Sequence, residues 1–448
     1  MRRVLVGLVS AIGFWAMAVA ACGSDDTSGA VADDGGTDAH VVREAGVPDT
    51  YVPYVPVGKQ CHNTPYPDAG SGGLDPIVPD GGDTDAGDDA GTPTDDDGGY
   101  DAGPPLGPPQ GVSYGGPILA NPRVVPITYS GDYYADQIED FVGSIGCTDY
   151  WRQVVSEYGV GQLETLTPVR LTDEAPAAIN DSQIGAYIKN QIKAGAPGFV
   201  NYPKDVIFAF YFPTTTTISL FGEESCQSFD GYHSSVRLPD GTYVAYAVMA
   251  RCSDTIDELT GTSTHEFVEA STDPNPDTNA AYLMPDDDHI AFSFSAGGEL
   301  GDLCTFYSDA DYIPDDYFFT VQRTWSNKSI AAGHNPCVPA VPGGYVAAIP
   351  DQPDTIGIKN AGPATTRGIA IPIGGTRTIE VHTKTDNPAI TSWTISANDT
   401  SKFTEGTSHL ALQLDSTTAT PDGVVHLTIT RNSKGQIYGA EPFSLHSK

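Results

Sequence analysis

The sequence predicts an α+β domain around a central mixed sheet, preceded by a long polar tether and followed by a small β-sandwich. Three observations carry this. Residues 111–342 alternate apolar runs of strand length with stretches of helical spacing, as in a sheet covered by helices. From Gly23 to Gln110 there are 18 Asp or Glu against Arg43 and Lys59, with almost no sustained apolar pattern. In residues 343–448, short runs with period-two alternation recur between turn signals.

Residues 1–21 read as a signal peptide: Met1-Arg2-Arg3, an apolar run from Val4, and small residues before Cys22. Small residues directly before a cysteine resemble the bacterial lipobox. Cys22 is then the expected lipidation site, and its lipid the only membrane contact. The competing interpretation is a single spanning helix, since the run is about long enough. Gly23 after the cysteine favours outer-membrane sorting, so the expected location is extracytoplasmic, at the outer membrane or cell surface.

The Asp/Gly/Pro-rich stretch 22–110 cannot bury enough surface to offset its ordering entropy and is expected to be a disordered, charge-extended spacer. Its aspartates lack the spacing and closing Glu of a calcium loop. The net charge of the whole chain is −36, which argues against a nucleic-acid partner. A monomer is expected.

Within 111–342, Arg123–Tyr129, Pro168–Leu171, Val206–Phe212 and Tyr243–Ala250 read as strands. Asp136–Ile145 and Asp149–Tyr158 read as helices, as does a stretch capped by Asn180 that carries Ile184, Tyr187, Ile188 and Ile192. Another helix is expected from about Thr255 to Thr272. A Pro/Gly stretch, Val338 to Gly344, leads to strand-like runs at 378–382, 392–396, 410–414 and 424–430. These suggest an immunoglobulin-like sandwich, equally readable as a binding module or a spacer.

Besides Cys22 there are six cysteines, compatible with disulfides in an exported chain. Cys226 with Cys252 and Cys304 with Cys337 are the expected pairs, because each brackets one compact segment; Cys61 and Cys147 are left open.

The chemistry concentrates in Ser263-Thr264-His265-Glu266-Phe267-Val268-Glu269. Positions four apart share a helix face, so His265 and Glu269 can present an imidazole and a carboxylate to one point. This resembles the zincin helix, HExxH, in which two side chains bind zinc and the adjacent Glu, here Glu266, is the general base. Glu269 replaces the second histidine, an acceptable ligand that makes the metal a weaker Lewis acid. Glu299 and Asp302 resemble, at tighter spacing, the third ligand and the supporting carboxylate of thermolysin-like zincins. Asn275 stands where a metzincin would carry its third ligand. Asp273 lies nearer, but an Asp-Pro often marks only a turn. Against a metal, Ile256, Leu259, Ser263, Phe267 and Ala270 form a plausible core stripe, which leaves Glu258, Thr262, His265 and Glu269 as a solvated face. His233, in a Gly/Ser setting, reads more readily as a surface residue in a turn. No nucleophile elbow accompanies Ser234 or Ser235.

At these residues the domain also resembles the EXORDIUM-like (phosphate-induced) secreted proteins. The matching pieces are Gly115–Val124, Tyr150-Trp151 with Tyr158, Gly231–His233, His265–Glu269, Glu299–Cys304, and Val321-Gln322 with Trp325-Ser326. The resemblance implies an extracellular protein in which Glu269 is a family feature. It makes His265, Glu266, Glu269, Glu299 and Asp302 the site residues, with His233 added. Two functions are then expected as alternatives. One is a zinc-dependent hydrolase, a peptidase of zincin type, acting on an extracellular polymer. The other is a non-catalytic surface protein that binds glycan or protein.

Overall fold

The computed structural model describes residues 109–285, 298–305, 309–340, 343, 345–351, 353–357, 365–368, 376–387, 394–397, 409–410, 412–415, 424–430 and 439–440. The expected signal segment, Cys22 and the expected tether as far as residue 108 lie outside the described residues.

The first domain runs β1 (Gly111–Ser113), β2 (Arg123–Thr128), α1 (Ala135–Ile145), α2 (Asp149–Val155), β3 (Glu164–Thr165), β4 (Val169–Arg170) and β5 (Ala178–Asn180). It continues through α3 (Asp181–Ala194), β6 (Val206–Phe212), β7 (Thr217–Leu220), β8 (Glu223–Glu224), β9 (Gly231–Arg237), β10 (Tyr243–Ala250) and α4 (Ile256–Thr272). The remaining elements are β11 (Tyr282–Pro285), β12 (Asp311–Tyr312), β13 (Val321–Gln322), β14 (Thr324–Trp325), α5 (Asn327–Ala331) and β15 (Cys337–Val338).

The central sheet has the order β3-β2-β6-β10-β9, with β4 also pairing with β2. Its strands are parallel except β9, which closes one edge antiparallel to β10. Helices cover both faces, so the central strands are apolar throughout instead of alternating. On β6, Ile207, Ala209 and Tyr211 join a core with Phe141 of α1, Trp151 of α2 and Phe267 of α4. Val206, Phe208, Phe210 and Phe212 point the other way, onto Ile184 and Ile188 of α3. Full burial of such side chains contributes roughly 1.5–3 kcal/mol each.

Helix boundaries follow their caps. Asn180 accepts from the Gln183 amide at 3.0 Å, and the Gln183 side chain accepts from the Asn180 amide at 2.9 Å. This capping box starts α3, and Gly195 at φ 66° ends it in the left-handed region. Thr255 caps α4 by accepting from the Glu258 amide. The expected helix 149–158 divides into α2 and a short 3-10 turn, Ser156–Tyr158.

Helix α4 departs most from expectation, because both its stripes are covered. Leu259, Ser263, Phe267 and Ala270 pack inward as expected, yet Glu266 and Glu269 are buried as well. The polar side meets β9 and the segment around Gly301 instead of water. The buried hydroxyls stay satisfied by bonding back to their own helix, Ser263 to the Leu259 carbonyl at 2.6 Å and Ser271 to that of Phe267 at 2.6 Å. The Gly/Ser segment at 231–235, expected as a turn, is strand β9. Cross-strand pairing with β10 imposes alternation that glycine and serine had concealed.

Cys226–Cys252 and Cys304–Cys337 are disulfides, as expected, and Cys147 is also disulfide-bonded. Such bonds are compatible with an extracytoplasmic protein. Among the described residues no helix is long and apolar enough to cross a membrane. Further along, Val346–Pro350, Thr376–Thr385 and Val424–Thr430 form a three-stranded antiparallel sheet, and Thr394–Ala397 pairs with Leu412–Asp415.

Candidate metal centre

Three pieces of chain build the site: α4, the edge strand β9, and the turn 298–304. Helical spacing brings His265 Nε2 to 3.1 Å from Glu269 Oε2. The same nitrogen is 3.5 Å from Asp302 Oδ1. On β9, His233 pairs with Ala247, whose side chain lies in the core beneath α4, so its imidazole points at the helix. His233 Nδ1 stands 3.5 Å from Glu266 Oε2 and 3.6 Å from Glu269 Oε2, and its Nε2 is 3.3 Å from Glu299 Oε1. With its side chain only 2 % exposed, His233 is not the surface residue its neighbours in sequence suggested.

Two triads result, each with ligand atoms inside 4.8 Å of one another: His265, Glu269 and Asp302; and His233, Glu269 and Glu299. Glu299, expected beside His265, therefore falls with His233. Asp302 takes the place beside His265. Asn275 joins neither triad. Asp273 takes part through its backbone carbonyl, 3.0 Å from His233 Nε2, while its carboxylate accepts from the Ala281 amide.

Neighbouring acceptors fix which ring nitrogen of each imidazole faces the carboxylates. The Gln322 amide nitrogen donates to the Gly301 carbonyl at 2.9 Å, so the Gln322 oxygen is the atom facing His265 Nδ1 at 3.1 Å. An oxygen there requires Nδ1 to donate, which leaves Nε2 to address Glu269 and Asp302. Likewise the Asp273 carbonyl takes the Nε2 proton of His233 and turns Nδ1 toward Glu266 and Glu269. This is how ligand histidines are held, one nitrogen fixed by an acceptor and the other free for a cation or a proton.

The carboxylates are crowded, and Glu266 and Glu269 are buried. Glu269 Oε1 accepts from the Gly301 and Asp302 amides at 3.1 and 3.0 Å. Asp302 Oδ2 accepts from the Gly298 and Glu299 amides. Glu266 Oε2 and Glu299 Oε1 are sealed from solvent and accept no hydrogen bond. Burial pushes the Glu266, Glu299 and Asp302 carboxyls above the usual range, and that of Asp273 to about 6. Burial would raise Glu269 too, but the adjacent His265 and His233 outweigh it and hold Glu269 well below the carboxylate range. Both histidines are pushed well above the usual imidazole value: burial opposes this, and Glu299 beside His233 and Glu269 beside His265 prevail. The centre therefore attracts positive charge strongly, as protons on its imidazoles or as a cation.

Sequence reasoning missed two contributors. Gln322 appeared only within the Val321-Gln322 match to the EXORDIUM-like pattern, and nothing in its local spacing tied it to His265. Gly301 packs so closely that a Cβ would lie 2.8 Å from Glu269 Oε1, and its place between Glu299 and Asp302 was the only clue.

Compared with protein-family models, curated proteins and solved structures, the chain shows no match in any of the three.

Proposed function

We propose that the protein is a metal-dependent hydrolase, most concretely a zinc peptidase of zincin type, acting on an extracellular polymer from a lipid anchor at Cys22. The observation that carries this is the pair of imidazoles, each with one nitrogen held by an acceptor so that its other nitrogen faces Glu269. The donor set of imidazole and carboxylate suits zinc. The buried oxygen of Glu266, which accepts no hydrogen bond and faces His233 Nδ1 at 3.5 Å, also fits a cation-bearing site. A helix with its acid next to the first histidine, packed on a sheet whose strands precede it, supports the zincin assignment. The order of the EXORDIUM-like motifs supports membership of that family. The C-terminal strands suit a small sandwich that presents or spaces the catalytic domain.

When bound, the metal would polarise the scissile carbonyl and acidify the attacking water. His265 and Glu269, with Asp302, would hold it, and Gln322 keeps His265 in the ligating tautomer. Glu266, adjacent and poorly solvated, would take the proton from water as it attacks and pass it to the leaving nitrogen.

A second reading, a surface protein that binds glycan or protein, is favoured by one observation. Both histidines gain protons readily, so two imidazolium ions could neutralise the carboxylates as a buried ion-pair network. The test is hydrolysis of casein, gelatin and cell-wall polymers with and without a chelator, for wild type and Glu266→Gln. The enzymatic reading expects chelator-sensitive turnover that falls about 10²–10⁴-fold in the variant, without loss of bound metal. Chelator-insensitive turnover, or full activity in Glu266→Gln, would overturn it.

A further inference from the structure

We infer that the centre holds two cations rather than one, the second on His233, Glu269 and Glu299, with Glu269 shared between them. This rests on the metal-dependent reading above and extends it. Among the described residues no triad contains both His233 and His265; the two triads at this centre each have their own histidine and their own carboxylate, and they meet only at Glu269. Nitrogen and oxygen ligands sit about 2.0–2.2 Å from zinc. Donors to one ion lie no more than about 4.4 Å apart, so two imidazoles that share no group even at 4.8 Å do not share an ion. One ion on His265, Glu269 and Asp302 leaves His233 and Glu299 unserved.

The surroundings of His233 point the same way. Its Nε2 lies 3.0 Å from the Asp273 carbonyl and 3.3 Å from Glu299 Oε1, and its Nδ1 faces Glu266 Oε2 at 3.5 Å and Glu269 Oε2 at 3.6 Å. A ring set among three carboxylate oxygens in the interior calls for positive charge beside them, which a cation supplies. Independently, the Glu266 side chain is only 5 % exposed, and its Oε2 accepts no hydrogen bond although it is aimed into this group. Pairs of divalent ions about 3.5–4 Å apart serve hydrolysis by stabilising the attacking and the leaving group together. Imidazole with carboxylates selects a first-row divalent ion such as zinc over calcium or magnesium.

The test is titration of the metal-stripped full-length protein with zinc, followed by calorimetry and elemental analysis. The inference expects two equivalents per chain. Glu299→Gln, at a partly exposed position, should weaken one of them at least tenfold and leave the other in place. Asp302→Asn should do the converse. Circular dichroism and melting of both variants establish that they are folded; if Glu299→Gln unfolds, the wild-type stoichiometry decides alone. One equivalent in the wild type overturns the second cation and leaves the hydrolase reading standing. Two equivalents unaffected by a folded Glu299→Gln overturn the assignment to this triad. No zinc at all removes both readings.

Discussion

Replacing Gly301 by alanine sets a methyl group against the carboxylate on which both triads converge. Gly301 has φ −71° and ψ −45°, an ordinary conformation for any residue. On backbone entropy alone the substitution would stabilise the protein by about 0.4–1 kcal/mol. The space forbids this. The new Cβ would lie 2.8 Å from Glu269 Oε1, 3.0 Å from His265 Nδ1 and 3.2 Å from His265 Cε1. Glu269 Oε1 cannot withdraw freely, since it accepts from the Gly301 and Asp302 amides at 3.1 and 3.0 Å. Losing one hydrogen bond to a charged group costs about 1.5–3 kcal/mol. Net of the entropic gain, Gly301→Ala should destabilise by about 1–2 kcal/mol. It should also weaken zinc binding about 10–100-fold, because a ligand carboxylate is displaced. Urea denaturation of the metal-free protein gives the first quantity, and competition against a zinc chelator gives the second. A variant as stable as wild type with undiminished zinc affinity would refute the argument that Glu269 is pinned.

Gln322→Leu removes the acceptor that fixes the His265 tautomer, so zinc affinity should fall about 10–100-fold while the fold persists; unchanged affinity in a competition titration would contradict it. Tyr150 donates to the Gln322 carbonyl at 2.6 Å inside the core, so Tyr150→Phe should cost about 1–2 kcal/mol in denaturant unfolding, and no measurable loss would deny that bond its role. Opening Cys304–Cys337, which are 33 positions apart, as a double serine variant should cost roughly 3–4 kcal/mol on loop-closure entropy. Because Cys304 ends the turn that carries Asp302, zinc affinity should fall with stability; a melting temperature equal to wild type would refute the first part.

Much of the scaffold could be read from local signals. The β6 and β10 runs, the Asn180 cap and the α4 boundaries lie where spacing and capping chemistry put them, and both described disulfides join the expected partners. The i, i+4 relation of His265 and Glu269 was equally legible, because it is a property of one helix. What was hidden depends on pairing. His233 sits among Gly and Ser, whose weak strand propensity conceals that β10 recruits them as an edge strand. Nor could periodicity reveal that β9 and the turn at Gly301 cover part of the polar stripe of α4 and bury Glu269. Glu299 and Asp302, three positions apart across the turn at Gly301, meet different histidines, which spacing alone did not reveal.

The central claim is that this cluster exists to bind a transition metal, and elemental analysis of the purified full-length protein tests it most directly. Wild type and His265→Ala are prepared without chelators, dialysed against metal-free buffer and measured beside a circular-dichroism spectrum. The account predicts at least one equivalent of zinc in the wild type and a loss of that equivalent in a folded His265→Ala variant. A folded wild-type protein that carries no transition metal and takes up none when zinc is supplied would contradict it.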